Sequence, residues 1–326
     1  MIIIGYLILA VIVMGFSIQL SNYVDIIDKR TSISGAFIGG VILAAITSLP
    51  ELFTSISATA LLGQPELVIG NILGSDIFNN AVLASLFLAF PKRFRRARIG
   101  ASHNLSLVLV AAIYLYLIVV LGLGLEFTIF NVSIHSIVLL AVYLYGVCTM
   151  SADDGVSNSD DSASSQLSIK QIILRFVLCS VGLVAASIAL TYATDAIASR
   201  YQIGTTLAGA LLLGVATSLP ELTSSINLAK LGNFNAMTGN ILGSNLFNFA
   251  ILTVADLTYA GGSLYVTTSQ TWLLLIFGLA SAIFIAMPIL YKSKGRRKYP
   301  HLRKTIYFIP PALVLASYFA FLALSV

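Results

Sequence analysis

Charged side chains are scarce in this 326-residue chain: Asp, Glu, Lys and Arg make up 10% of it, against about 25% in soluble globular proteins. Hydrophobic residues make up 58%, and the mean hydropathy is +0.96. This composition excludes an intrinsically disordered chain, a fibrous protein and a pair of ordinary soluble domains. We therefore predict a polytopic membrane protein.

Cysteine and histidine are also rare. Cys148 and Cys179 lie in or near apolar runs, so we interpret them as buried small hydrophobic side chains rather than a disulfide. His103, His135 and His301 lie away from the motifs described below, and we assign them no function. The sequence thus offers no Cys or His cluster for zinc or copper, and we predict no resident cofactor.

Ten apolar runs are long enough to cross a bilayer, which predicts an all-α protein with ten transmembrane helices. No basic residue precedes the first run and no small-residue cleavage site follows it, which indicates a retained span rather than a signal peptide. The predicted spans, numbered 1 to 10, cover residues 2–20, 34–62, 66–90, 102–123, 129–150, 168–194, 204–230, 235–257, 269–291 and 305–325.

The basic residues lie almost entirely on one side of this topology. Of the 18 Lys and Arg residues, only Arg200 falls in a loop on the other side. Since cytoplasmic loops are enriched in Lys and Arg, we predict a multi-pass protein of a prokaryotic cytoplasmic membrane with both termini extracytoplasmic. The clusters at 92–98 and 292–304 are interpreted as anchors to lipid headgroups, the bilayer being the partner, rather than as a nucleic-acid site. Nothing in the sequence indicates an oligomeric state.

A polar stretch, SADDGVSNSDDSASSQ, occupies residues 151–166. Its Ser, Asp and Gly content is typical of a flexible linker, and we predict a cytoplasmic acidic linker over 151–167. A regulatory cation site on its four aspartates is the alternative interpretation. The linker separates residues 1–150, with spans 1–5, from residues 168–326, with spans 6–10.

The two halves contain an internal repeat. ITSLPELFTSIS at 46–57 recurs as ATSLPELTSSIN at 216–227, an offset of 170 residues. GNILGSDIFNN at 70–80 recurs as GNILGSNLFNF at 239–249, an offset of 169. Because five spans separate the copies, an odd number, the second copy enters the membrane from the opposite side. Two inverted five-helix repeats are a recurring architecture of secondary transporters, which bind substrate near mid-membrane where the repeats meet.

Each repeat places a Pro–Glu pair inside an apolar span: Pro50 with Glu51, and Pro220 with Glu221. Proline leaves a carbonyl one turn earlier without its helical donor, and within a bilayer that carbonyl needs another partner. A simple kink would explain the prolines alone. A mid-membrane carboxylate, however, needs a partner, and no Lys or Arg lies near the middle of any span. The pattern therefore favours bound cations or protons over a purely structural role.

Hydroxyl and amide groups surround these glutamates at helical spacing, so that they share a face. The resulting oxygen-only set suits hard cations such as Ca²⁺ and Na⁺. Two carboxylates neutralise one Ca²⁺, and mutually exclusive occupancy by Na⁺ is the physical basis of exchange. The surrounding polar residues are Thr47, Ser48, Ser75 and Asn79 in the first repeat, and Thr217, Ser218, Ser244 and Asn248 in the second.

At these motifs the sequence resembles the Ca²⁺/cation antiporter superfamily, most closely prokaryotic sodium/calcium exchangers. The family pattern is GTSLPE in one broken helix and GNxxGSNxxN/D in the next, matched here within 34–82 and 204–251. The resemblance implies a core of spans 2, 3, 7 and 8, against which spans 1 and 6 slide. It also implies an ion-ligand set of Thr47, Ser48, Glu51, Ser75, Asn79, Thr217, Ser218, Glu221, Ser244 and Asn248, with main-chain oxygens at Ala44 and Gly214.

The sequence departs from the family pattern at three places. The glycine before Thr-Ser is replaced by Ile46 and Ala216, which we expect to restrict the backbone at the break and to alter or remove a sodium site. Asn248 stands where several prokaryotic relatives carry Asp. Asp76, whose repeat equivalent is Asn245, is a further candidate for the ion site, either as a replacement charge, as a proton carrier or as a hydrogen-bonding group.

We predict a secondary antiporter that exchanges Na⁺ for Ca²⁺ by alternating access and extrudes Ca²⁺. Antiport of Ca²⁺ or another divalent cation against H⁺ is the nearest alternative, although that branch usually carries GNxxE where this chain has TSLPE. An intramembrane aspartyl protease would need two apposed aspartates, and Asp76 is the only clear candidate. A non-transporting cation sensor or a degenerate transporter is the remaining alternative.

Overall fold

The computed structural model describes residues 2–28, 41, 43–97, 99–100, 102–129, 132–151, 169–292 and 303–325. Several predicted features lie outside the described residues. They are the linker from residue 152 to 167, the start of span 2 at 34–40, Arg98, the basic residues at 29–30 and 293–302, and His301.

Each of the ten predicted spans corresponds to helical structure in the described part of the chain, and spans 2 and 7 are broken. A short helix, Pro91–Arg96, lies between spans 3 and 4. The unbroken spans are Ile2–Asp28 (span 1), Pro65–Ala89 (span 3), Ser102–Gly122 (span 4), Ile134–Ser151 (span 5), Ile169–Tyr201 (span 6), Phe234–Thr258 (span 8), Ser269–Leu290 (span 9) and Arg303–Ser325 (span 10). Span 2 consists of Ala44–Thr47 and Leu49–Ala60. Span 7 consists of four segments: Thr205–Ala208, the π-helical Gly209–Leu213, Gly214–Thr217 and Leu219–Leu231.

The predicted start of span 5 at residue 129 is wrong. Thr128–Ile129 and Val132–Ser133 form two short antiparallel strands, and the helix begins only at Ile134. The β-branched residues of this segment are apolar enough to extend a hydropathy run, yet they favour extended backbone. Spans 1 and 6 are longer than predicted, with 27 and 33 residues, because polar residues at their ends continue the helix beyond the apolar run.

Spans 3 and 8 form the centre of the bundle. In each of these two helices, 78% of the apolar 18-residue segment is buried. The corresponding share is 17–44% in the other unbroken spans that are long enough to cross a membrane. They also have the lowest mean hydropathy of these spans, 1.5 and 1.4. Both pack against the broken spans 2 and 7, whereas spans 1 and 6 pack against each other outside this core. The most buried helices are thus the most polar, as expected when an interior site rather than lipid receives the polar groups.

Spans 3 and 7 approach each other so closely that glycine is required at the contact. A Cβ added at Gly70 would lie 2.0 Å from the carbonyl oxygen of Thr206. On the facing helix, a Cβ added at Gly209 would lie 2.3 Å from the carbonyl oxygen of Leu67. Small residues that let two helix backbones touch are a common packing device in membranes, where lipid is as apolar as the side chains.

The prediction that both cysteines are buried is wrong for Cys148, which is exposed, whereas Cys179 is half-buried. Both are free thiols, in line with the prediction that they form no disulfide. A membrane helix is apolar on its lipid-facing side as well as on its interior side. Apolar neighbours in the sequence therefore do not distinguish an interior cysteine from one on the outer surface.

We expect Gly70→Ala to lower the free energy of unfolding by about 2 kcal/mol or more, because the added methyl group collides with backbone that cannot rotate away. Gly15→Ala is the matched control, since a Cβ there meets nothing within 4 Å. Thermal unfolding of both variants in detergent measures the difference. Equal midpoints for the two variants would show that spans 3 and 7 do not meet as described.

Candidate ion-binding site

Both broken spans are interrupted at a serine. Ser48 has φ −91° and ψ 10°, and Ser218 has φ −87° and ψ 5°, values that no longer continue an α-helix. Pro50 and Pro220 lie in the first turn of the helix that follows, where a missing N–H leaves no helical bond unmade. The two parts of span 7 meet at 42°. The Ser-Leu-Pro sequence thus ends one helix and starts the next within the span.

The two glutamates lie directly after these breaks. Glu51 is 1% exposed and Glu221 is 0% exposed, and each is in the first turn of its new helix. An anion is stabilised there by the unpaired N–H groups and the positive end of the helix dipole. Each glutamate contacts the serine that lies one turn before the other glutamate, so the two acids share one centre. No Lys or Arg is among the buried side chains of the described residues, so no buried Lys or Arg in that part of the chain compensates them.

Serines of the opposite repeat contact both carboxylates. Ser218 Oγ donates to Glu51 Oε1 at 2.9 Å, and Ser48 Oγ donates to Glu221 Oε1 at 2.9 Å. Ser244 Oγ lies 3.2 Å from the same oxygen of Glu221. The first two bonds are equivalent under the repeat, so each broken helix supplies one carboxylate and one hydroxyl to a shared centre.

Main-chain carbonyls and threonines complete the surroundings of the breaks. Ser75 Oγ donates to the carbonyl of Gly214 at 3.1 Å, and Ser244 Oγ to that of Ala44 at 3.4 Å. Thr47 Oγ1 also donates to Ala44 O, at 3.2 Å. The two predicted main-chain oxygens therefore occupy equivalent places across the repeats. Thr217 Oγ1 differs from Thr47 Oγ1, because its shortest bond, 2.8 Å, is to the carbonyl of Leu213, one residue before Gly214.

Four buried oxygens of the site have no hydrogen-bond donor within the described residues. They come from two equivalent pairs and are Glu51 Oε2, Glu221 Oε2, Asn79 Oδ1 and Asn248 Oδ1. Asn79 lies one turn beyond Ser75, and Asn248 one turn beyond Ser244, so each shares a helix face with a serine of the site. Buried acceptors without donors are rare in proteins, and four together indicate a place prepared for a positive ligand.

Asp76 is fully buried beside this set, but both of its carboxylate oxygens are hydrogen-bonded. Asn248 Nδ2 donates to Oδ1 at 2.8 Å, and Tyr114 OH donates to Oδ2 at 3.2 Å. Asp76 therefore lies behind the carboxamide of Asn248. All thirteen predicted site residues are buried.

Asn71 and Asn240 are not among the predicted site residues, although both belong to the repeated GNILGS motif. Asn71 Nδ2 donates to the hydroxyls of Thr54 and Ser55, at 3.1 and 3.2 Å. Asn240 Nδ2 donates to Ser224 and Ser225, at 2.9 and 3.3 Å. Each asparagine thus ties its unbroken span to the helix after the break. Both copies of the motif have asparagine at this position, and that repetition is the feature of the sequence that indicates a role for it.

Ile46 and Ala216, the residues in place of the family glycine, do not sit at the break itself. They lie within the short helices Ala44–Thr47 and Gly214–Thr217, and the backbone departs from helical values two residues later. Ala216 is 3% exposed, and Ile46 packs against the hydrophobic core. The helix before the break therefore accommodates side chains at both positions.

Inverted repeats whose two broken helices place carboxylates at a common centre define the fold of a secondary cation transporter. Comparison with known proteins agrees with this class. The profile of the sodium/calcium exchanger protein family matches residues 1–151 and 171–326. The chain therefore belongs to that family, within the Ca²⁺/cation antiporter superfamily. The family is one of exchangers and not a class of enzymes.

Individual relatives are distant. The chain is similar to the putative antiporter CaxA of Alkalimonas amylolytica, with 29% identity over 78% of this chain and 82% of the relative. It is 24% identical to the inner membrane protein YrbG of Escherichia coli K12 over 70% of each chain.

Solved structures share the fold. The H⁺/Ca²⁺ exchanger CAX matches with a TM-score of 0.71 at 13% identity, over 99% of this chain and 88% of its own. The sodium-calcium exchanger NCX_Mj matches with a TM-score of 0.62 at 22% identity, over 99% of each chain. The predicted fold of ten helices in two inverted five-helix repeats is thereby confirmed.

Removing the tie made by Asn71 should loosen the helix that carries Glu51. We expect Asn71→Ala to lower the free energy of unfolding by about 2 kcal/mol, because two buried hydroxyls lose their donor. Asn22→Ala, an exposed position on span 1, is the control. Unfolding midpoints in detergent measure both, and an Asn71→Ala protein as stable as the control would contradict the assigned role.

Proposed function

We propose that the protein exchanges Na⁺ for Ca²⁺ across the cytoplasmic membrane by alternating access and moves Ca²⁺ outward. The observation that carries this proposal is the set of four buried acceptors without donors. Two belong to carboxylates and two to carboxamides, a hard-oxygen set of the kind that Ca²⁺ and Na⁺ prefer. Ten residues would contribute side-chain oxygens: Thr47, Ser48, Glu51, Ser75, Asn79, Thr217, Ser218, Glu221, Ser244 and Asn248.

Charge balance supports alternating rather than simultaneous occupancy. Glu51 and Glu221 together neutralise one Ca²⁺, and leaving two buried carboxylates without a counter-charge is unfavourable in a membrane interior. Na⁺ ions would replace Ca²⁺ by using the same carboxylates, together with the carbonyls of Ala44 and Gly214. A ligand that shares its anionic groups with a competitor excludes that competitor, which couples the movement of one ion to that of the other.

The distribution of basic residues supports the proposed orientation. Arg93 Nη1 donates to the carbonyl of Lys230 at 2.9 Å, and Lys292 lies over the ring of Phe94. Basic residues distant in the sequence therefore meet at one end of the bundle. By the bias of Lys and Arg toward the cytoplasm, this end faces inward, with both termini outside.

The motif at the breaks supports Na⁺ as the coupling ion. The fold alone does not choose, because the H⁺/Ca²⁺ exchanger CAX and the sodium-calcium exchanger NCX_Mj both share it. The chain carries TSLPE at both breaks, where H⁺-coupled relatives usually have GNxxE. The two serines of this motif are the groups that donate to the carboxylates across the repeats.

The test is Ca²⁺ uptake into proteoliposomes under an imposed Na⁺ gradient and, separately, under a pH gradient. We expect uptake to follow the Na⁺ gradient. Glu221→Gln should reduce the rate by about 100-fold or more, since it removes half of the counter-charge for Ca²⁺. Glu126→Gln, an exposed acid outside the spans, serves as the control.

Uptake that responds only to the pH gradient would replace this proposal with Ca²⁺/H⁺ exchange. Normal transport by both Glu221→Gln and Glu51→Gln would contradict any mechanism in which the two carboxylates hold the transported ion. Ca²⁺ binding without transport under either gradient would indicate a sensor or a degenerate transporter.

A further inference from the structure

The side-chain carboxamides of the proposed ion site can bind a cation in only one of their two orientations. A carboxamide carries one acceptor oxygen and two N–H donors, and a half-turn of the group exchanges them. The oxygen attracts a cation, and the NH₂ group repels it. If Asn79 and Asn248 are to contribute oxygens to the proposed ion site, something must hold both groups in one orientation.

For Asn79, a continuous series of hydrogen bonds runs from the site to span 9. Asn79 Nδ2 donates to Asn245 Oδ1 at 3.0 Å, and Asn245 Nδ2 donates to Asn80 Oδ1 at 3.0 Å. Asn80 Nδ2 then donates to Ser281 Oγ at 3.0 Å, and Ser281 Oγ donates to the carbonyl of Gly278 at 2.9 Å. All four side chains are at most 1% exposed.

The direction of this series is set at its far end. A backbone carbonyl only accepts, so the Ser281 hydroxyl must donate to Gly278 and present its lone pairs to Asn80. Asn80 must then donate to Ser281 and accept from Asn245, which in turn must accept from Asn79. The last step leaves Asn79 Oδ1 outside the series, and this oxygen has no hydrogen-bond donor among the described residues.

We propose that Asn245, Asn80 and Ser281 form a polar relay that positions the carboxamide oxygen of Asn79 for the cation. This inference rests on the proposed function, because it assigns a positioning role toward the same Ca²⁺ site. None of the three residues was a predicted ligand. They act through Asn79 and not by contact with the ion.

The other repeat reaches the same end by a different device. Asn248 Nδ2 donates to Oδ1 of Asp76, whose other oxygen accepts from Tyr114 OH, so the acid holds the orientation of Asn248 without a relay. The residue equivalent to Asn80 is Phe249, which cannot continue a relay and packs edge-on against Tyr114 at 5.3 Å. The two cross-repeat bonds, Asn79 to Asn245 and Asn248 to Asp76, are equivalent by position and differ only in the acceptor.

The first test is equilibrium binding of radioactive Ca²⁺ to the purified full-length chain in detergent. We expect Ser281→Ala to weaken Ca²⁺ binding by about 10-fold, the usual size of an outer-sphere effect on metal affinity. Ser281→Thr keeps the hydroxyl and should restore binding to within about 2-fold of the parent. Ser85→Ala is the matched control, since Ser85 also bonds its own helix backbone, on the span that carries Asn80.

The second test separates a relay from a merely structural serine. Asn245→Asp places a carboxyl group beside Asn79, as Asp76 stands beside Asn248, and removes the NH₂ group that links Asn79 to the far end, so that the orientation of Asn79 no longer depends on Ser281. In that background, Ser281→Ala should change Ca²⁺ affinity by less than about 2-fold, because the two changes are coupled. An equal loss in both backgrounds, or no loss in the parent, overturns the relay while leaving the proposed function intact.

Failure of the proposed function gives a different result. A parent protein that binds neither Ca²⁺ nor Na⁺ at millimolar concentration would contradict the ion site itself. The relay would fall with it, because no cation would then require an oriented oxygen.

Discussion

Two carboxylates buried in a membrane interior, with no basic side chain buried beside them in the described part of the chain, are the constraint on which the structure depends. Their burial is tolerated because each lies at the positive end of a helix and accepts a hydrogen bond from a serine hydroxyl of the opposite repeat. The helix breaks at Ser48 and Ser218 create these helix N-termini inside the spans. In the proposed exchange, a bound cation would supply the remaining compensation, so the fold and the proposed exchange share one electrostatic origin.

Much of this arrangement could be predicted from the sequence, because the repeat places the same chemistry at the same depth twice. The Ser-Leu-Pro-Glu motif predicts both breaks and both carboxylates. The start of span 5 and the exposure of Cys148 could not be predicted, since hydropathy does not separate strand from helix or lipid from interior. The ties made by Asn71 and the partners of Asp76 depend on which helices meet, which a single sequence does not state. Ion contact by the predicted ligands stays a prediction.

The two repeats are equivalent in backbone but not in polar chemistry. One carboxamide is held by a series of neutral groups that ends on span 9, and the other by an acid that also accepts from Tyr114 on span 4. Several relatives carry an acid where this chain has Asn248, and here the acid is instead Asp76, which lies behind Asn248 and accepts its hydrogen bond. Only two carboxyl groups are then among the proposed ligands, which suits a divalent ion, while the carboxyl group of Asp76 sets the orientation of the Asn248 carboxamide.

The backbone contact between spans 3 and 7 has a mechanical consequence. Gly70 contacts the backbone of Thr206, and Gly209 contacts the backbone of Leu67. Because no side chains separate the two backbones there, the helices cannot slide past each other by small side-chain adjustments. One belongs to each half of the chain, and together they carry half of the proposed ligands. The centre of the molecule should therefore behave as a single stiff block, and whatever opens it to one side of the bilayer or the other must be the movement of helices around that block.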